Sequence, residues 1–160
     1  MQKTESSLIT ESSFIVDVKI KPLKIIETVG GPVLHMLRND GELFTSFGEV
    51  YFSELEPKAI KAWKKHKLQT QNICVPFGKV LFVIYDNREA SKSFGRLMKV
   101  VLGRPENYSL LQIPPGLWYG FTALDDKGAL VANCADIPHL PEESERIDAN
   151  STLIPYQWGL

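Results

Sequence analysis

Lysine and histidine side chains are concentrated in one short segment of the sequence. Lys61, Lys64, Lys65, His66 and Lys67 all lie between positions 61 and 67. Burial and neighbouring cations lower the pKa of a lysine, and such a lysine can take up a proton as a base. The same ammonium groups can instead bind a phosphate or remain solvated. The segment therefore indicates proton transfer, anion binding or an exposed charged edge.

Length, composition and charge favour one globular domain with a small-molecule ligand. At 160 residues and 44% hydrophobic content, the chain can close one sizeable core. A formal charge of -1 and a pI near 6.3 give no overall basic field. Nucleic acid and an acidic membrane surface are therefore poor candidates for the partner. We expect a single domain over residues 14–160, preceded by a flexible polar tail over residues 1–13.

Targeting signals and cysteine spacing point to a reducing compartment. The first 13 residues lack the basic start and apolar stretch of a signal peptide. No apolar run approaches the roughly 20 residues that cross a bilayer. Cys74 and Cys134 lie in apolar runs without a C-x-x-C pair, which favours buried thiols over a disulfide or a metal site. We expect a cytoplasmic protein.

Short β-branched and aromatic runs recur along the chain and are separated by turn residues, a spacing that predicts a sandwich or barrel. Residues 14–20 alternate, so Phe14, Val16, Val18 and Ile20 are predicted on one face of a strand. Residues 80–85 are apolar on both faces and predict a central strand. Residues 57–67 have a helix-like composition but are interpreted as a loop leading into a strand. The predicted strands are 14–20, 33–37, 49–53, 73–76, 80–86, 96–102, 109–113, 118–123 and 130–133.

Several segments, taken in order, resemble the dTDP-4-dehydrorhamnose 3,5-epimerase family. The most specific is I-P-P-G-L-W-Y-G-F at 113–121, which is similar to the family's I-P-P-G-x-x-H-G-F. Y-D-N-R-E-A-S at 85–91 resembles its D-x-R-x-x-S segment. No single motif is decisive, but their joint order is fairly specific. The other matching segments are 47–53, 60–67, 146–148 and 154–158.

The resemblance implies an all-β fold, a cupin-type jelly-roll barrel with short peripheral helices. It also implies a homodimer, with a strand or tail exchanged between subunits, and an enzyme without metal or organic cofactor. Such enzymes remove protons beside the 4-keto group of a nucleotide-linked 4-keto-6-deoxyhexose and return them on the opposite face. That reaction needs a base, an acid and donors for the keto oxygen.

The catalytic positions depart from the family's pattern. Lys64 replaces the histidine base, and Tyr119 replaces the histidine of the I-P-P-G segment. Asp148 matches the aspartate that orients the base, so a Lys64–Asp148 ion pair is expected. Such a pair would keep Lys64 charged and favour a cation over a base. Tyr119 can donate to the keto oxygen or act as an acid, or it can simply fill space.

Further residues are candidates for contact with the substrate. The family's catalytic tyrosine has no counterpart after Asn133, which leaves His139 as the nearest acid or, more simply, as an exposed loop histidine. The family's phosphate arginine is also missing, so Lys61 and Arg38 are the candidate cations for the diphosphate. His66 retains one histidine of the family's segment and alone does not make a metal site. Arg88 is assigned to the ligand, with an Asp86–Arg88 turn ion pair as the alternative.

Three hypotheses on function follow. The first is an epimerase or isomerase acting on a dTDP-type 4-keto-6-deoxyhexose through Lys64, Tyr119 and Asp148. The second is a sugar-binding relative that has lost catalysis. The third is a barrel recruited to another small carbonyl substrate.

Overall fold

The protein folds into two facing five-stranded antiparallel sheets. The computed structural model describes residues 14–159. The first sheet contains β1 (Lys19–Pro22), β9 (Ser109–Ile113), β6 (Gln71–Phe77), β11 (Ala129–Ala135) and β4 (Glu49–Leu55), in that order. The second contains β12 (Ser144–Arg146), β5 (Ile60–His66), β10 (Trp118–Ala123), β7 (Lys79–Tyr85) and β8 (Leu97–Gly103). A small ribbon pairs β2 (Ile25–Ile26) with β3 (Val33–Leu34).

This arrangement confirms the predicted all-β jelly roll. The peripheral helices amount, within residues 14–159, to one 3₁₀ turn at Pro141–Glu143. No helix among those residues is long and apolar enough to cross a membrane. The predicted tail at residues 1–13 lies outside the described part of the chain.

The core lies between the two sheets. Ile73 and Val131 of the first sheet pack with Phe82 and Ile84 of the second, and all four side chains are at most 3% exposed. β7 pairs with β10 on one side and β8 on the other, as its two apolar faces predicted. Cys74 and Cys134 are buried free thiols, as expected.

A second apolar cluster covers the outer face of the second sheet. Trp63 and Trp118 are buried there against Ile154, with Tyr156 and Trp158 packed beside them. The C-terminal segment therefore supports β5 from behind. This packing fixes the strand that carries the lysines.

The alternation predicted for residues 14–20 is wrong. Ile15 and Val18 are buried, whereas Phe14 and Val16 are exposed. The chain turns at Asp17, whose φ is 72°, and the Val18 amide bonds the Ile15 carbonyl. A local turn therefore replaces the predicted strand before Lys19. Ile15 and Val18 would point to opposite faces of a regular strand, whereas the turn lets both side chains enter the core.

Candidate active site

A cavity of about 540 Å³ opens between the two sheets beside the core. Its wall combines apolar side chains with tyrosines, an amide and three cations. β5 and β10 form one side, and β4 and β11 form the other. The lining residues are Tyr51, Ser53, Ile60, Lys61, Ala62, Trp63, Lys64, Ile73, Tyr119, Phe121, Val131, Asn133, Arg146 and Ile147.

Lys64 lies in the wall between two polar neighbours. It is opposite Tyr119 on β10 and opposite Arg146 on β12. Burial lowers the pKa of Lys64, and the positive charge of Arg146 lowers it further, against weaker opposing effects of Glu143 and Glu49. The lysine therefore gives up its proton more readily than an exposed one, as a base requires.

His66 and Glu143 hold the Tyr119 hydroxyl in place. Nδ1 of His66 lies 2.7 Å from Oε2 of Glu143, and Nε2 lies 3.2 Å from the Tyr119 hydroxyl. Because a carboxylate only accepts, Nδ1 carries a proton and Nε2 accepts from Tyr119 in the neutral ring. Burial lowers the pKa of His66 by more than the Glu143 hydrogen bond raises it, so the ring is neutral near pH 7. Burial also raises the pKa of Tyr119, which keeps the phenol protonated.

Glu143 is a site residue that sequence reasoning missed. Its other oxygen accepts hydrogen bonds from the amides of Leu68 and Gln69, at 2.9 and 2.8 Å. Burial acts to raise the pKa of this carboxyl, but the hydrogen bonds from His66 and the two amides hold it below its usual range. Glu143 and His66 are 77 positions apart, so no local pattern could indicate the pair.

Tyr51 and Asn133 form a polar patch on the facing wall. They are cross-strand partners on β4 and β11, and the Asn133 amide donates to the Tyr51 hydroxyl at 2.8 Å. The same amide donates to the side-chain Oε1 of Gln71. None of these three residues was predicted as part of the site, since their polar groups meet only when the sheet forms.

Lys61 lies at the exposed rim of the cavity. Its ammonium donates to the Ser53 hydroxyl at 2.7 Å and to the Glu54 carbonyl at 2.8 Å. It therefore connects β5 with β4, the edge strand of the first sheet, and places a positive charge at the opening. Arg146, also exposed and also in the lining, is a second cation there that was not predicted.

The expected pair of Lys64 with Asp148 is not formed. Asp148 is exposed, and its carboxylate accepts from the Asn150 amide at 2.8 Å. Among the ion pairs of the described residues, none joins it to Lys64. The chain turns at residues 148–151, where the Ser151 amide donates a hydrogen bond to the Asp148 carbonyl. This turn keeps the Asp148 carboxylate at the surface.

Arg88, which was predicted to contact the ligand, bonds to residues outside the cavity wall. Its guanidinium bonds both oxygens of Asp86, at 2.9 Å each, and the Val16 carbonyl at 3.0 Å. Ser91 and Ser93 donate to the same buried carboxylate. Arg88 is absent from the cavity wall, so the D-x-R-x-x-S segment forms a structural brace, the turn ion pair that was the alternative.

Three other predicted contacts lie away from the cavity wall. Arg38 is exposed and pairs with Asp40 two residues along the chain, at 2.6 Å. His139 is an exposed loop residue, which agrees with the simpler of its two interpretations. His66 is only 2% exposed, lies outside the cavity lining and bonds the Tyr119 hydroxyl, which does line it. Within residues 14–159, no group of three potential ligands is placed to hold a metal ion.

Comparison with known proteins gives a consistent result. The family model for dTDP-4-dehydrorhamnose 3,5-epimerase matches residues 58–160. A probable low-salt glycan biosynthesis epimerase of Haloferax volcanii, Agl13, is 30% identical over 73% of this chain and 76% of its own. The Bacillus subtilis spore coat polysaccharide biosynthesis protein SpsL is 29% identical over 89% of this chain and 95% of its own.

Solved structures agree with the sequence matches. A dTDP sugar isomerase from Desulfovibrio desulfuricans superposes with a TM-score of 0.89 at 53% identity, covering 90% of this chain and 92% of that one. A Legionella pneumophila 3,5-epimerase, solved in complex with dTDP-4-keto-L-rhamnose, shares the fold at a TM-score of 0.76 and 24% identity, over 89% of this chain and 79% of its own. The chain belongs to the dTDP-4-dehydrorhamnose 3,5-epimerase family.

Proposed function

We propose that the protein epimerises a dTDP-linked 4-keto-6-deoxyhexose by removing a proton from the carbon next to the keto group. The observation that carries the proposal is the placement of Lys64, with its lowered pKa, beside Tyr119 in the wall of a ligand-sized cavity. A base and a hydrogen-bond donor side by side suit enolate formation. Family membership supplies the substrate class.

Each side chain has a distinct role in this proposal. Neutral Lys64 takes the proton, and the electron pair of the broken C–H bond forms an enolate. The Tyr119 hydroxyl turns from His66 to donate to the keto oxygen, where the negative charge develops. The positive charge gained by Lys64 stabilises the enolate further. Asp148 has no part, given its place at the surface.

The dTDP diphosphate is assigned to the cations at the rim. Lys61 and Arg146 both line the cavity, and we assign to them the positive charge that the family's missing phosphate arginine would supply. Arg146 offers a planar guanidinium that suits phosphate oxygens, and Lys61 contributes a point charge.

Replacing Lys61 with methionine should weaken dTDP binding about tenfold, the effect of losing roughly 1.4 kcal/mol of charge-assisted contact. Isothermal titration calorimetry measures the dissociation constant. Lys67→Met is the matched control, because Lys67 is exposed and bonds the Glu142 carbonyl outside the cavity. Equal effects of the two variants would remove Lys61 from the site.

Replacing His66 with glutamine should slow epimerisation by up to about 10²-fold, since a catalytic group displaced by about 1 Å can lose that much. Binding of dTDP should not change, because His66 does not line the cavity. Steady-state kinetics would show the loss in kcat with KM retained. A rise in KM alone would place His66 in ligand binding instead.

A second candidate function is sugar binding without catalysis. The observation that favours it is the loss of the carboxylate partner of the base, since Asp148 does not reach Lys64. Calorimetry with a dTDP-4-keto-6-deoxyhexose, followed by chromatography of the recovered sugar, separates the two. Binding with an epimerised product supports the enzyme, and binding with unchanged sugar supports the second function. A barrel recruited to another carbonyl compound would bind neither this sugar nor dTDP.

We also propose that the protein is a cytoplasmic homodimer. The family resemblance and the nucleotide-linked substrate support this assignment, and no nucleic acid or membrane partner is proposed. Light scattering after size-exclusion chromatography should give twice the chain mass of 18.0 kDa. A mass of one chain would contradict it.

A further inference from the structure

We propose that Tyr51 is the acid that returns a proton to the sugar ring from the face opposite Lys64. The inference rests on the proposed epimerase function, because it names the second proton-transfer group of that same site. It assigns a catalytic role to β4, a strand that matches the family but from which no catalytic residue was predicted.

The two side chains belong to facing walls of one cavity. Lys64 projects from β5 of the second sheet, and Tyr51 projects from β4 of the first. Along β4, Glu49, Tyr51 and Ser53 are half-buried, whereas Val50 and Phe52 are exposed. Tyr51 therefore points inward, and a sugar ring in the cavity has Lys64 on one side and Tyr51 on the other.

The surroundings of Tyr51 suit an acid. An acid must tolerate the negative charge it acquires after giving up a proton, and hydrogen bonds to that oxygen provide this. Asn133 Nδ2 donates to the Tyr51 oxygen at 2.8 Å and can stabilise a phenolate there, while the Tyr51 hydroxyl donates its own proton to the side-chain Oε1 of Gln71 at 3.3 Å. Because Tyr51 is half-buried, water can restore its proton after each turnover.

Buried amides hold this arrangement in place. Asn133 is 3% exposed, Gln71 0% and Gln69 1%. Gln69 accepts from Gln71 at 2.6 Å and donates to the Ile137 carbonyl, also at 2.6 Å. Burying three amides is costly unless their groups are paired. This chain of pairs ends at the Tyr51 hydroxyl, the member that reaches the cavity.

Electrostatics agree with this placement. Burial raises the pKa of Tyr51, so the phenol is protonated at neutral pH, while Asn133 and Arg146 partly offset the rise. Tyr119, whose pKa burial also raises, lines the same cavity. The cavity thus has a neutral phenol on each wall and one lysine base.

The proposed step conserves atoms and electrons. Lys64 removes the proton of the carbon next to the keto group, and the C–H electron pair becomes an enolate. That carbon then takes the Tyr51 proton from the other face, which leaves a phenolate bonded to Asn133. Solvent returns a proton to Tyr51 and removes one from Lys64. The substrate changes configuration at one carbon without oxidation or reduction.

The test separates proton removal from inversion. In deuterated water, Tyr51→Phe should still exchange the substrate proton for deuterium with configuration retained, since Lys64 can return a deuteron from its own face. Formation of the epimer should fall by at least about 10²-fold, the usual contribution of a general acid. Nuclear magnetic resonance of the sugar follows both. Tyr108→Phe is the matched control, because its buried hydroxyl contacts Cys74 Sγ at 3.7 Å and lies outside the cavity.

Each alternative outcome has a definite meaning. Epimer formation by Tyr51→Phe at the wild-type rate would overturn the inference while leaving the proposed function intact. If deuterium exchange and epimer formation fall equally in Tyr51→Phe, the role of Tyr51 is structural, and the inference is also overturned. A wild-type protein that neither exchanges nor epimerises the sugar would overturn the proposed function, and the inference with it.

Discussion

Lys64→Met should reduce proton exchange from the substrate by at least about 10²-fold, the typical contribution of a general base. Methionine keeps the length of the side chain and removes the nitrogen that accepts the proton. Deuterium incorporation into a dTDP-4-keto-6-deoxyhexose, followed by nuclear magnetic resonance, measures the loss. Lys67→Met removes the same charge from an exposed neighbour outside the cavity and should exchange at the wild-type rate.

Lys64→Arg distinguishes a base from a cation. An arginine keeps the positive charge but does not lose its proton in proteins. If Lys64 is the base, this variant should be as inactive as the methionine variant, and if Lys64 is only a cation, activity should survive. The wild-type rate should also rise with pH through the pKa of Lys64, which burial and Arg146 place below its ordinary value of 10.5.

Asp86→Ala should lower the free energy of unfolding by about 3 kcal/mol. The substitution removes the buried carboxylate and leaves the donors that bond to it without an acceptor. Asp86 is 0% exposed and accepts from Arg88, Ser91 and Ser93. Urea denaturation followed by circular dichroism measures the change. Asp40→Ala is the control, since Asp40 forms an exposed pair with Arg38. An unchanged midpoint for Asp86→Ala would mean that the network does not brace the fold.

The stabilising effect of Asp86 should depend on pH with a defined sign. Despite its burial, hydrogen bonds from Arg88, Ser91 and Ser93 hold the pKa of Asp86 well below its usual range. A depressed folded-state pKa contributes stability above the unfolded value of about 3.9, and this contribution is lost as the pH falls further. The difference between wild type and Asp86→Ala should therefore shrink below about pH 4.

The fold was predictable from the sequence because strand-forming runs and turn residues are local signals. β7 is the clearest case, since its two apolar faces indicated a central strand that the structure places between β10 and β8. Residues 14–20 were mispredicted because alternation in sequence does not show a turn that sends Ile15 and Val18 into the core. The helix-like composition of residues 57–67 was outweighed by strand pairing, and β5 begins at Ile60.

The site was predictable only where the family's motifs carry it. Lys64 and Tyr119 were found because their positions in two motifs are defined, and the structure makes them cross-strand neighbours. Glu143 and Tyr51 were missed because their partners are distant in sequence. The bonds that Arg88 makes to Asp86 and Val16 were not predictable from its motif position alone, because they form only when the turn folds.

Hydrogen exchange catalysed by the wild-type protein tests whether it removes a proton next to the keto group of the sugar. The protein is incubated with a dTDP-4-keto-6-deoxyhexose in deuterated water, and proton resonances of the sugar are followed over time. We expect the proton signal of C3 or C5, the positions on either side of the keto group, to disappear as the epimer forms. Bound sugar whose C3 and C5 protons both remain would contradict this expectation and leave a sugar-binding barrel.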